Sequence, residues 1–209
     1  MNEVIVLFDG YSKQLDDETM DANCSCTLIK GQKNIIVDTM TAWDRERLVE
    51  ALHKQNLDPL DIHYVVCTHS HSDHIGNNNL FINAEHIVGQ CVQSGTKFYE
   101  KRIKDGKYKL CEGVTVIATP GHTAQDVSVL VDVETKDGKL VYTITGDLFE
   151  KEEDIEDPSI WKALGTIELQ EVQKAMRSHV LDLANIIIPG HGPMFPVTEA
   201  MKLQSKRVD

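Results

Sequence analysis

Four residues able to hold a metal fall within six positions of this chain, in Thr68-His69-Ser70-His71-Ser72-Asp73-His74. Nothing else in the sequence constrains the fold as strongly, because such side chains converge only if a rigid frame presents them. The stretch Ile62 to Thr68 that leads into the cluster reads as a buried strand. In an extended segment His69 and His71 point the same way. Asp73 and His74 follow at a turn, where Ser72 or Asp73 could open a helix. One loop at the C-terminal end of a strand can therefore serve two neighbouring metal positions.

Two metals need more than four ligands, and further strand ends should supply them. Three segments qualify: Thr119-Pro120-Gly121-His122-Thr123, Thr145-Gly146-Asp147 and Pro189-Gly190-His191-Gly192. Each follows a β-rich run, and glycine permits the tight backbone that turns a ligand inward. A lone His after Gly is usually just a turn residue. Joined to the cluster, these segments complete a candidate set of His69, His71, Asp73, His74, His122, Asp147 and His191.

The frame around that set is mixed. Val4 to Phe8, Cys24 to Ile29 and Ile35 to Asp38 read as strands. Asp44 reads as the N-cap of a helix carrying Leu48, Val49, Leu52 and Leu57 and closed by Asp58-Pro59. In the second half, His86 to Gly89, Val114 to Thr119, Asp126 to Val133, Lys139 to Thr145 and Asn185 to Ile188 are strand-like. Glu168 to Leu183 and Thr198 to Lys206 are helix-like. Two strand-rich halves with outer helices predict an α/β sandwich, and the 209 residues fit one domain spanning 1–209.

Composition narrows the setting. No apolar run approaches the roughly 18 residues of a membrane span, and the acidic flanks of Val4 to Phe8 are unlike a secretory leader, so no membrane partner and no export are expected. The five cysteines, Cys24, Cys26, Cys67, Cys91 and Cys111, are scattered without paired spacing and predict reduced thiols in the cytoplasm or nucleus. A net charge of −12 disfavours sequence-independent attraction to polyanions, so any nucleic-acid binding needs a local basic surface.

The order HxHxDH, then His, then Asp, then His resembles the metallo-β-lactamase superfamily over nearly the whole chain. That resemblance implies an αββα sandwich and two metal positions. His69, His71 and His122 would hold one, Asp73, His74 and His191 the other, and Asp147 would bridge them. Zinc suits imidazole and carboxylate ligands, and the same set accepts iron or manganese. Two cations about 3.5–4 Å apart can share a bridging hydroxide as nucleophile, with Asp73 orienting it, so Asp73 and Asp147 are the expected catalytic residues. The segments Gln125-Asp126-Val127-Ser128-Val129, Gly146-Asp147-Leu148-Phe149-Glu150 and Pro189-Gly190-His191-Gly192-Pro193 are similar to superfamily members associated with endonucleolytic cleavage of histone pre-mRNA 3′ ends. This implies an endoribonuclease with an RNA substrate, in a group that looks homodimeric.

Lys97, Phe98, Tyr99, Lys101, Arg102, Lys104, Lys107, Tyr108 and Lys109 interleave charge with aromatics, as a single-stranded RNA surface would, and equally as a solvated loop would. Glu150 to Asp157, six acids in eight residues, would repel phosphate if it bordered the pocket. A glyoxalase II-like thioester hydrolase shares the ligand positions, although that family's helical C-terminal region has no counterpart in the roughly 18 residues after His191. A persulfide dioxygenase-like iron enzyme overlaps the set too, and a metal-stabilised binding module without catalysis is the non-enzyme reading. His53, His63, His86 and His179 lie outside the motifs and read as surface or structural residues.

Overall fold

The computed structural model describes residues 1–206. Its first half builds a seven-stranded sheet. β1 (Glu3–Phe8) pairs with β4 (Cys26–Lys30), and the order continues through β5 (Ile35–Val37), β6 (Tyr64–Cys67), β7 (Glu85–Val88), β8 (Cys91–Ser94) and β9 (Lys97–Phe98). A small hairpin, β2 (Tyr11–Gln14) with β3 (Met20–Asn23), stands apart. The second half builds a six-stranded sheet in sequence order: β10 (Lys107–Cys111), β11 (Val114–Ala118), β12 (Val127–Thr135), β13 (Gly138–Gly146), β14 (Ile186–Pro189) and β15 (Phe195–Pro196). Helices α1 (Arg45–Lys54) and α2 (Ser72–Ile75) belong to the first half, and α3 (Ser159–Leu164), α4 (Gln170–Leu183) and α5 (Glu199–Ser205) to the second.

Strand alternation dictates the layers. Ile35, Val37 and Val66 face the inner core with Val116, Val129, Ile144 and Ile188 from the other sheet. Their neighbours Ile36, Val65 and Cys67 face outward, where Leu48 and Leu52 of α1 cover them. Ile187 likewise turns to the opposite outer face, under Val180 and Leu181 of α4. One residue's shift in register would exchange these faces. The result is the expected four-layer αββα sandwich.

Parallel pairing sets where function can sit. β5 and β6 run parallel, with Val37 opposite Val66, and β13 and β14 run parallel, with Ile144 opposite Ile188. Their C-terminal ends therefore open onto one edge. The sheets are tied there by Val127 N donating to Thr68 O (2.9 Å) and Ser25 N donating to Gly190 O (2.7 Å).

Several local expectations change. Asp44 stands at the N-cap of α1 as expected, but its carboxylate makes no cap hydrogen bond. It accepts instead from Asn23 Nδ2 (2.7 Å), Thr41 Oγ1 (2.6 Å) and Arg47 Nη1 (2.6 Å), an ion pair and two polar bonds that satisfy it without the helix backbone. The segment from Lys97 to Lys109 is partly strand, and Arg102 is no free basic group: it stacks on Tyr99 (4.5 Å) and lies 3.8 Å from Glu85. The acidic run is divided too. Glu150 and Asp154 are buried, and Asp154 pairs with Arg177, so only the remaining acids of that run face solvent. Cys24, Cys26 and Cys67 are packed in the outer core, and all five cysteines are free thiols. Among the described residues, no helix is long and apolar enough to cross a membrane.

Candidate metal centre

All seven predicted residues meet at the edge formed by the ends of β6, β11, β13 and β14. Asp147 is the hub. Its Oδ2 lies 3.5 Å from His69 Nε2, 3.4 Å from His122 Nε2 and 3.3 Å from His191 Nε2, and its Oδ1 lies 3.2 Å from His74 Nε2. His71 Nδ1 approaches His122 Nε2 at 3.1 Å. Asp73 Oδ2 lies 3.7 Å from the Nε2 atoms of both His74 and His191. Potential ligand atoms gather in two sets that match the expected positions, His69, His71, His122 and Asp147, and Asp73, His74 and His191, while Asp147, Glu150 and His191, and Cys24, Asp38 and His74, also stand close together.

The backbone makes this convergence possible at two glycines. Gly146 adopts φ +52°, and a Cβ there would sit 2.2 Å from Thr68 Oγ1. A Cβ on Gly190 would sit 2.0 Å from Asp147 Oδ1. Any side chain at either position would push apart the loops that carry the cluster, Asp147 and His191.

Three of the buried rings are oriented from behind. His74 Nδ1 donates to Asp38 Oδ2 (2.9 Å), and the same carboxylate accepts from Thr68 N (2.7 Å) and Thr68 Oγ1 (3.0 Å). His191 Nδ1 faces the carbonyls of Asn23 (3.1 Å) and Tyr11 (3.2 Å). His69 Nδ1 lies 3.2 Å from Thr68 Oγ1. With the proton held on Nδ1, Nε2 carries the lone pair that a metal requires.

Sequence reasoning missed these supports. Asp38 was readable in principle, since it is a carboxylate at a strand end just as Asp147 is. The carbonyls of Tyr11 and Asn23 carry no sequence signal, and Glu150 entered only within a segment that carries the family resemblance and as part of a charge run, with no role at the site.

The electrostatics are those of a site built around cations. Burial pushes the His69 and His122 imidazoles below their ordinary range. Burial also opposes charge on His74 and His191, but the Asp147 carboxylate outweighs it, assisted by Asp38 at His74, and holds His191 up at about 9. Burial acts to raise Asp147, yet the surrounding His74, His191 and His69 bring it well below the usual carboxylate range. Burial and then Asp147 push Glu150 up to about 8.

His69 Nε2, His74 Nε2 and Asp147 Oδ1 are buried without a hydrogen-bond partner. Buried polar atoms left unmatched in this way are costly unless something else engages them. All three point into the space that the two ligand groups enclose, so the donor set fits a pair of divalent cations. His71 is exposed and Asp73 partly so, which leaves the site open on that side.

The profile of the family described as "Metallo-beta-lactamase superfamily" matches residues 20–191. The chain belongs to the metallo-β-lactamase superfamily. Metallo-beta-lactamase domain-containing protein 1 of Xenopus laevis is 41% identical over 94% of this chain and 82% of the relative. The Homo sapiens protein of that name is 42% identical over 78% of this chain, and the match spans only 59% of its length. An N-acyl homoserine lactonase of a Bacillus species is 31% identical over 60% of this chain and 54% of the relative. Among solved structures, a putative metallo-beta-lactamase from Thermotoga maritima superposes with a TM-score of 0.64 and 20% identity, covering 93% of this chain and 99% of that one. This last likeness establishes the metallo-β-lactamase fold.

Proposed function

We propose that this superfamily hydrolase cleaves RNA phosphodiesters at a dinuclear centre, with His69, His71 and His122 holding one metal, Asp73, His74 and His191 the other, and Asp147 between them. The observation that carries the dinuclear reading is the convergence of four Nε2 atoms on the two oxygens of Asp147. Zinc is the expected metal, because neutral imidazoles with carboxylates suit it. When bound, the ions would bring water into its ionisation range near neutral pH and polarise the scissile group.

The chain's own residues do the rest. Asp38 and the carbonyls of Asn23 and Tyr11 keep His74 and His191 in the ligating tautomer. Asp73, less buried than Asp147, stands at the mouth, where its carboxylate can orient a water and accept its proton.

The phosphodiester assignment rests on the resemblance to histone pre-mRNA-cleaving members. It is supported by exposed Lys97, Lys101, Lys104 and Lys107 beside the exposed Phe98 ring. The inward turn of Glu150 and Asp154 also removes two of the six acids that would oppose phosphate. A labelled histone pre-mRNA 3′ fragment and an unrelated single-stranded RNA, incubated with zinc-loaded protein and with Asp147→Ala, test the reading. Metal-dependent cutting that the variant lacks is expected. No cutting by protein with both metals bound would refute the RNA assignment.

A second reading, hydrolysis of a small ester such as a thioester or lactone, draws on apolar side chains exposed on segments that support the centre. Trp43 is 92% exposed and adjoins Asp44, which binds Asn23. Ile167 is 77% exposed and follows Thr166, whose N and Oγ1 donate to His122 O. The lactonase relative acts on such a substrate. Turnover of lactoylglutathione or an N-acyl homoserine lactone would favour this reading.

A further inference from the structure

Four buried imidazoles aim Nε2 at Asp147, and three of them have a hydrogen-bonding group behind the ring. His122 is the exception. Among the described residues its Nδ1 is buried without a hydrogen-bond partner, and the polar group facing it is the Glu150 carboxylate, with Oε1 at 3.9 Å.

Glu150 has no evident reason to be there on packing grounds. It is 2% exposed, and His122 is its ion-pair partner within 4 Å among the described residues. Burying a carboxylate away from water is costly unless a donor or cation engages it. Its backbone is firmly held: Glu150 N donates to Asp154 Oδ2 (2.7 Å), and Glu150 O accepts from His191 N (2.8 Å). The loop after β13 thus brings two carboxylates, three residues apart, to the two nitrogens of one ring, with oxygens of Asp147 and Glu150 and a nitrogen of His191 all within 4.8 Å of one another. Asp147 Oδ2 is 3.4 Å from His122 Nε2, and Glu150 Oε1 faces Nδ1.

We propose that Glu150 is the positioning carboxylate of His122, accepting its Nδ1–H and so fixing Nε2 as the atom offered to the metal. A closure of about 1 Å brings the pair to hydrogen-bond distance. Carboxylate–histidine–metal relays of this kind fix the tautomer and raise ligand basicity, and breaking one typically lowers metal affinity about 10- to 100-fold. The inference rests on the reading of this cluster as a metal centre.

The test compares wild type, Glu150→Ala and Glu150→Gln as full chains. Zinc affinity is measured by competition with a chromogenic chelator, and imidazole protons are followed by nitrogen-edited NMR of the zinc-loaded proteins. Wild type should bind two zinc ions and show a protected His122 Nδ1–H resonance. Glu150→Ala should lose that resonance and bind one zinc about 10- to 100-fold more weakly. Glu150→Gln keeps an acceptor oxygen, so it should keep the resonance and lose less affinity, which also covers the case in which the alanine variant fails to fold. Wild-type zinc affinity in Glu150→Ala, or equal losses in both variants with the resonance intact, would overturn the proposal. Absence of zinc uptake by wild type would instead overturn the metal-centre reading, and this proposal with it.

Discussion

Asp38→Asn is a sharper probe of the centre than removal of any ligand, because it changes one proton position and almost no volume. Asp38 directly follows β5 with φ 58°, a left-handed conformation that Asn tolerates better than most residues. Its carboxylate accepts from Thr68 N, Thr68 Oγ1 and His74 Nδ1. Alanine would leave three buried donors unmatched. At about 1–3 kcal/mol each, that is a loss of roughly 3–9 kcal/mol against a total stability of about 5–15 kcal/mol, so Asp38→Ala should accumulate poorly.

Asparagine keeps an oxygen for Thr68 N and puts an NH2 group where Oδ2 stood. That group donates, so His74 must accept on Nδ1 and carry its proton on Nε2, the atom that faces Asp147. The fold should survive, while zinc affinity at the Asp73–His74–His191 position falls about 10- to 100-fold. Chelator competition measures the affinity, and imidazole NMR reports the tautomer. Unchanged affinity with the proton still on Nδ1 would refute the reasoning.

Other expectations follow from the same geometry. Arg177→Met strands the Asp154 carboxylate that Arg177 Nη2 holds at 2.5 Å, and removes the bond to Leu148 O and the stacking on Phe149. Breaking a buried pair costs about 3–5 kcal/mol, so thermal melting should show Tm lower by roughly 6–20 °C. Gly190→Ala places a Cβ 2.0 Å from Asp147 Oδ1 and should abolish stoichiometric zinc uptake, whereas Gly95→Ala, with nothing within 4 Å, should not. The metal-free protein should have a pH optimum of stability. His191, held at about 9, and His74, also raised, stabilise the fold in their charged forms, fully so below about 6.5, and lose that contribution at higher pH, His191 as pH rises through about 9. His69 and His122 are held low, so they destabilise the fold as pH falls below about 6.5. Tm measured against pH should therefore peak near pH 6.5 and decline toward pH 9, and zinc loading, which requires unprotonated ligands, should remove the alkaline decline. Charge reversal of Lys97, Lys101, Lys104 and Lys107 to Glu should weaken RNA binding and flatten its salt dependence; unchanged affinity would exclude that surface.

How much of this was legible in the sequence depended on whether the signal was local. Unbroken β-rich apolar runs in Ile35-Ile36-Val37 and Tyr64-Val65-Val66-Cys67 marked buried strands, and turn chemistry before His122, Asp147 and His191 marked the loops that meet. The β2–β3 hairpin and the short strands β8, β9 and β15 were not legible, because two to four largely polar or exposed residues owe their pairing to neighbours rather than to propensity. Asp44 holds the N-cap position the sequence suggested, but the distant Asn23 and the neighbouring Thr41 and Arg47 side chains claimed its oxygens. The supports of the site follow the same rule. Ligands stand in motifs, while Asp38, the Asn23 carbonyl and Glu150 take up their partners only once folding brings separate strand ends and loops together.

The central claim is that one carboxylate joins two metal positions, and counting metals per chain tests it most directly. Elemental analysis after reconstitution with zinc and removal of excess should give two ions per wild-type chain and fewer than two in Asp147→Ala. One ion or none in the wild type, or two retained in Asp147→Ala, would contradict the account.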